Sequence, residues 1–268
     1  MPSLRRSLLG VLVAVAVTTA MDATGLSVFS ALPPFPLLIL FGYLGRLSRP
    51  AMGFAWGRWR HYGLAALYPL AVLGVVALVA VLAGAVDLSH ASWKKAAINL
   101  ALVAVSTFLV AILTEEGFFR GWLWASLQAA GATPVRVLVL SSVAFSLWHI
   151  SAVTLHTGFD PPRSQVPLFL VNAAVMGAVW GLLRWISGSV IVASLSHGLW
   201  NGLAYVLFGF GTKVGALGIA NTAIYGPEVG VVGLAVNLVF AAVLWRWWWK
   251  AGAGLSSTGQ AGELTISP

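Results

Sequence analysis

Two adjacent carboxylates and an arginine, Glu115-Glu116-Gly117-Phe118-Phe119-Arg120, interrupt an apolar run that opens near Ala96 and continues past the charges as GWLWASLQ. Ionisable side chains in such a segment cost a few kcal/mol each on insertion scales, so they face a protein interior or a wet cavity. Glu116 and Arg120 are four apart with the acid first, the better order for a helical ion pair. Glu115 lies about 100° further round the helix axis and has no partner within its own turn. The pattern reads either as an ion pair that fixes helix packing or as a catalytic carboxylate held by its neighbours. Three more polar residues sit in apolar surroundings. His149 closes SSVAFSLWH with Phe145 four residues before it, and SLSHGLWNGL places His197 and Asn201 four apart on one helical face. A lone membrane histidine more often serves helix packing than chemistry. Together, however, two histidines, an amide and a spare glutamate on three helices can meet in one bundle interior, and their chemistry is complementary. Glu115, His149 and His197 also make a His2Glu set able to take zinc with one position open to water.

The elements that must position these groups are membrane helices. Of the 268 residues, 59% are hydrophobic and only 8% charged, with a mean hydropathy of +0.92; soluble domains carry about 25% charged residues. The fold class is therefore all-α, a polytopic helical membrane bundle. There is no cysteine, which excludes disulfides, thiolate catalysis and cysteine-ligated zinc. The net charge of +8 is spread between apolar segments, where it sets topology and does not point to nucleic acid. Arg5-Arg6 ahead of SLLGVLVAVAVTTA has the outline of a signal peptide, but in a multispanning chain it reads as an uncleaved first helix.

Counting apolar stretches of about 20 residues gives eight: 7–24, 26–45, 62–86, 96–128, 135–155, 166–186, 190–209 and 228–249. Pro33, Pro34 and Pro36 predict that the second is kinked or broken. With eight crossings and both termini cytoplasmic, Arg5, Arg6, Arg46, Arg49, Arg58, Arg60, Arg136, Arg184, Arg246 and Lys250 fall inside, against Lys94, Lys95, Arg163 and Lys213 outside. Ten against four satisfies the positive-inside rule. The glutamate pair then lies towards the cytoplasmic end of the fourth segment, and the cavity it lines is expected to open on that side. Thr133-Pro134 and Ser187-Gly188-Ser189 are helix-start and turn signals, and Trp245 with Trp247-Trp248-Trp249 reads as an interfacial anchor. His61, His90 and His156 fall at helix ends or in loops, and Asp22, Asp87 and Glu228 near segment ends, where an interfacial position is expected. The chain is one transmembrane domain over 1–250, and the small, polar tail 251–268 is expected to be disordered.

Other membrane chemistries find less support. HExxH and GxGD are both missing, which removes the usual zinc and aspartyl intramembrane proteases. A serine–histidine pairing of Ser189 with His149 would leave Glu115 unexplained. A transporter or non-catalytic binding or immunity protein, with the same polar residues lining a path, is the alternative from another class; no inverted repeat speaks for transport.

In this order and on separate apolar segments, Glu115-Glu116-x-x-x-Arg120, Phe145-x-x-x-His149 and His197-x-x-x-Asn201 resemble the three signatures of the CAAX protease and bacteriocin-processing enzyme family (CPBP, also called Abi), which includes the type II CAAX prenyl endopeptidases. The resemblance covers about residues 96–209, the implied catalytic core. It implies that Glu115 activates water with help from His149, and that His197 and Asn201 stabilise the oxyanion. Glu116 and Arg120 would hold the site in shape, with Phe145 in support. No cofactor is then required, although the family has also been described as zinc-dependent, with Glu115, His149 and His197 as ligands. The implied partners are the lipid bilayer and a peptide or membrane-anchored protein substrate, cut near its C-terminus in the CAAX case. Short loops and an Ala-, Gly-, Val- and Trp-rich composition suit a bacterial inner membrane, where peptide maturation, bacteriocin processing or immunity, and sorting-signal cleavage are the candidate roles.

Overall fold

The computed structural model describes residues 3–258, with side chains through Trp249. In chain order the helices are α1 (Leu4–Ala23), α2 (Pro34–Leu44), α3 (Trp59–Leu82), α4 (Trp93–Leu113), α5 (Trp124–Ala129), α6 (Pro134–Trp148), α7 (Ile150–Thr154), α8 (Val166–Ser187), α9 (Val190–Leu203), α10 (Thr222–Tyr225) and α11 (Val231–Thr258). A π-helical turn, Gly117–Leu123, joins α4 to α5, and a second, Ala204–Phe208, extends α9. A two-residue hairpin, Gly209–Phe210 with Lys213–Val214, is the only sheet among the described residues. The protein is an all-α, multi-pass membrane bundle.

Among the described residues, seven helices are long and apolar enough to cross a bilayer. The expected second crossing, 26–45, contains only the 11 residues of α2, about 16 Å of helix against a hydrocarbon core of about 30 Å. Pro34 and Pro36 lie in the first turn of α2, where their missing N–H groups are not needed, and Pro33 is its N-cap. The segment nevertheless runs the length of the bundle. Ser27 Oγ donates to Thr157 O ahead of α8, while beyond α2 Arg184 Nη2 reaches Ala51 O and Ser189 Oγ reaches Ala55 O at the other end of α8. The remaining length is made by a 3₁₀ turn at Ser27–Phe29 and by irregular backbone. The last span begins at Val231, three residues later than expected.

Contacts at the two ends show which loops share a face. At one end Ser7 meets Ser126 at 2.7 Å, Trp124 packs on Trp185, and Trp185 packs on Trp248. The Arg46–Arg60 region joins them through Ala51 and Ala55. The start of α1 and the Trp248 part of α11 therefore share this basic end. At the far end Asp87 N donates to Leu217 O, Phe159 stacks on Phe210, and Gln165 bonds Thr222.

Local signals in the sequence are used as chemistry predicts. Thr133 Oγ1 accepts from Arg136 N, Ser189 Oγ accepts from Val192 N, and Gly188 closes α8 at φ +70°, the left-handed position that suits glycine. α9 lies against α4 closely enough that a Cβ on Gly198 would stand 2.5 Å from Ala104 O, the small-residue approach typical of membrane helices. The opposite face of α4 presents Ile98, Leu102, Val105 and Leu109 outward, a stripe for lipid. Helical backbone continues through Thr258, into the stretch expected to be disordered; residues 259–268 lie outside the described residues.

Candidate active site

The first motif lies at a break in the fourth span, where the sequence pattern predicts one continuous helix. α4 ends at Leu113, and Thr114 takes φ −104° and ψ −98° with its hydroxyl on Val110 O. Gly117 follows because a Cβ there would run into Ile112 O. Single π turns of this kind occur frequently at functional sites. Here the turn leaves Glu115 facing a cavity and turns Glu116 into the protein.

Glu116 and Arg120 are both fully buried. Arg120 Nη1 donates to Glu116 Oε1 at 3.2 Å, and its Nη2 donates to Gly177 O of α8 at 2.9 Å. The guanidinium lies 4.3 Å above the Phe145 ring, adding a cation–π contact. Gly177 has no side chain to obstruct it: a Cβ would stand 3.0 Å from Nη2. Glu116 Oε1 also accepts from His197 Nδ1 at 3.1 Å. One carboxylate oxygen thus ties the π turn to α9, as Arg120 ties it to α8.

The two imidazoles meet on Glu115. His149 Nε2 and His197 Nε2 each stand 3.9 Å from Glu115 Oε2. Their other nitrogens have different partners. His149 Nδ1 is 2.8 Å from Phe145 O; a carbonyl can only accept, so Nδ1 carries a proton. His197 Nδ1 donates instead to the Glu116 carboxylate. Trp180 stacks on the His197 ring at 4.1 Å, and Phe145 and Trp148 meet His149 edge-on. Each ring orientation is therefore set by both a hydrogen bond and an aromatic wall.

Asn201 joins Glu115, His149 and His197 in lining one cavity of about 180 Å³. All four groups singled out for chemistry thus face the same space, which Phe145 also lines, and Glu116 and Arg120 stand behind them. From Glu115 and Trp180 the cavity reaches Ser30, Phe159, Phe210 and Glu228, which belong to the far end of the bundle. The cavity was expected to open on the side of the glutamate pair and the basic loops; it extends instead towards the end away from Ser7 and Trp248. At the basic end the site is closed by the wholly buried run Phe118–Trp124 and by the Met52 loop, where Val190 N bonds Gly53 O and Arg184 Nε bonds Arg120 O.

Among the described residues, no three His, Asp or Glu side chains are arranged to hold a metal ion together. Glu115, His149 and His197 face one another, the Nε2 atom of each imidazole 3.9 Å from Glu115 Oε2.

Glu228 was expected at an interface and is instead 8% exposed, with Trp200 Nε1 donating to its Oε1 at 2.8 Å. The loop ahead of α11 folds into the bundle, which the apolar pattern alone does not reveal; an isolated acid beside Gly-Pro was its only signal. Asp22 is likewise buried, while Asp87 is exposed. Trp180 and Tyr205, which also line the cavity, carried no sequence signal among 13 tryptophans and 5 tyrosines. Ser189 caps α9 at the basic end and has no part in the cavity. His61, His90 and His156 stand at helix ends or in loops, outside it too.

Fold and site define a polytopic membrane protein whose acid, imidazole and amide groups gather within the bundle. Residues 97–203 match the model of the type II CAAX prenyl endopeptidase Rce1-like family. That stretch, which contains all three motifs, is therefore similar to a family of intramembrane endopeptidases. No curated protein and no solved structure matches the chain.

Proposed function

We propose that the protein hydrolyses a peptide bond with a water activated by Glu115 and His149 and without a metal. The observation that carries this reading is the convergence of both Nε2 atoms on Glu115 Oε2 at 3.9 Å, too long for direct hydrogen bonds and of the order that one bridging water spans. With its proton on Nδ1, His149 offers Nε2 as an acceptor. The water gives one hydrogen bond to Glu115 and one to His149, leaving an oxygen lone pair for the scissile carbonyl. As the C–O bond forms, its proton passes to Glu115, and the carbonyl oxygen becomes an oxyanion. His197, held through Nδ1 by the Glu116 carboxylate, donates from a protonated Nε2 to that oxyanion, beside the Asn201 amide. Collapse breaks the C–N bond, and the proton on Glu115 leaves with the amine. Donors fixed at an oxyanion in a dry site are worth about 3 to 4 kcal/mol each.

The basic end, where α1 starts, is assigned to the cytoplasm by the positive-inside rule. The cavity then reaches towards the opposite face, and the substrate is a peptide or membrane-anchored protein segment presented there. A bacterial inner membrane suits the composition. The test is cleavage of vesicle-embedded peptides by purified protein. Glu115→Gln and His149→Ala should each lower kcat by about 10² to 10⁴, with activity unaffected by chelators and no metal stoichiometric with active protein. Full activity in Glu115→Gln would sink the mechanism, and reversible loss on chelation would favour zinc on Glu115, His149 and His197.

A further inference from the structure

Glu228 is a buried acid that none of the motifs includes and the proposed hydrolysis does not use. Its backbone is held unusually firmly for a loop. Asn172 Nδ2 of α8 donates to Pro227 O at 2.9 Å and to Glu228 O at 3.0 Å. Asn172 Oδ1 in turn accepts from Asn237 Nδ2 of α11, whose Oδ1 accepts from Tyr68 of α3 at 2.7 Å. Asn172, Asn237 and Tyr68 are fully buried. Three spans thus cooperate to fix the Glu228 backbone, and its carboxyl group takes a hydrogen bond from Trp200, the residue before Asn201. Such a buried polar network rigidifies what it carries.

What it carries stands between two spaces. Glu228, Phe159, Tyr205 and Phe210 line both the catalytic cavity and a second cavity of about 370 Å³ at the far end, whose other walls include the charged Asp160 and Lys213 besides Gln165 and Thr222. Neither arginine nor lysine lines the catalytic cavity. A peptide extending from the second cavity to Glu115 must pass the Glu228 carboxyl group, which can accept a hydrogen bond from a backbone N–H but repels a carboxylate.

We propose that Glu228 is a substrate-positioning residue, which takes a backbone N–H of the substrate segment crossing between the two cavities and selects against an acidic residue or a free C-terminal carboxylate at that point. This rests on the endopeptidase reading and adds to it a substrate class: an internal segment without acid at one defined position. Glu228 lies in the loop outside the spanning helices, and burial pushes its carboxyl up to about 7. His197 and the Trp200 bond pull the other way, Glu115 adds to the rise, and Tyr68 and Tyr205 also face it. Discrimination therefore strengthens as the pH rises from 6 to 8 and the group ionises.

The experiment uses full-length protein in vesicles and a set of membrane-anchored peptides in which one glutamate or glutamine is moved along the exposed tail. With glutamate at one position, KM should rise at least 10-fold over glutamine at pH 8 for the natural protein, less at pH 6, and no more than twofold for Glu228→Gln at either pH. Binding of the same peptides to Glu115→Gln and to Glu115→Gln/Glu228→Gln, read by fluorescence anisotropy, gives a second measure that needs no cleavage. Equal discrimination with and without the Glu228 charge overturns the proposal. Binding discrimination without cleavage would instead refute the protease reading and leave this one standing.

Discussion

Replacing Glu116 by glutamine should leave Arg120 a cation without a counter-charge in the driest part of the bundle. Both side chains are fully buried, and besides the neutral amide the guanidinium would keep Gly177 O at 2.9 Å and the Phe145 and Trp180 ring faces at 4.3 and 5.7 Å. Removing one partner of a buried pair typically costs about 3 to 5 kcal/mol, because the other charge is stranded, whereas replacing both by uncharged groups of similar volume is often close to neutral. Glu116→Gln and Arg120→Met should each destabilise by that amount. The double variant should lose at least about 3 kcal/mol less than their sum, measured by reversible unfolding in mixed micelles. Activity should not recover with stability. In the double variant His197 Nδ1 faces an amide in place of a carboxylate, so the protonated ring that donates to the oxyanion loses its support, and kcat should stay at least about 10² below normal. Single variants that each lose under about 1 kcal/mol and simply add would refute the reasoning, since they would mean that water reaches the pair. Recovery of full activity in the double variant would refute the role given to Glu116 behind His197.

Two further outcomes test the architecture. Gly198→Val should destabilise by about 1 to 3 kcal/mol, since its Cβ would meet Ala104 O and the Phe108 Cβ at 2.5 and 2.8 Å; unfolding in micelles reads this, and an unchanged stability would mean that α4 and α9 are not so close. Because the chain has no cysteine, Ser3→Cys and Lys213→Cys each give a single reporter, and a membrane-impermeant maleimide applied to intact bacterial cells should label Lys213→Cys and spare Ser3→Cys. The reverse pattern would turn the cavity towards the cytoplasm.

Much of the site could be read before any coordinates because charge in hydrocarbon is expensive. Few polar residues survive there without a reason, so Glu115, Glu116, Arg120, His149, His197 and Asn201 stood out against their neighbours, and their four-residue spacings already told which shared a face. The ion pair of Glu116 with Arg120 is local to one turn, and the i,i+4 rule finds it. The same logic failed for Glu228. Its burial depends on a loop folding inward onto Asn172 and Trp200, partners 56 and 28 residues away, and no periodicity encodes that.

The sequence by itself determined that this is a bundle of apolar helices, where most of them begin and end, and which residue types confront one another chemically. Those properties follow from transfer free energy and helix geometry, both local along the chain. Tertiary structure alone decided that the fourth span breaks at Thr114, that α2 is too short to cross as a helix, and that His149 and His197 bond through Nδ1 to a carbonyl and a carboxylate respectively. It also decided that the cavity reaches the end away from Ser7 and Trp248. Helix packing sets which side chains plug one end of a bundle and which leave the other hollow, and here the buried aromatic run from Phe118 to Trp124 fills the basic end.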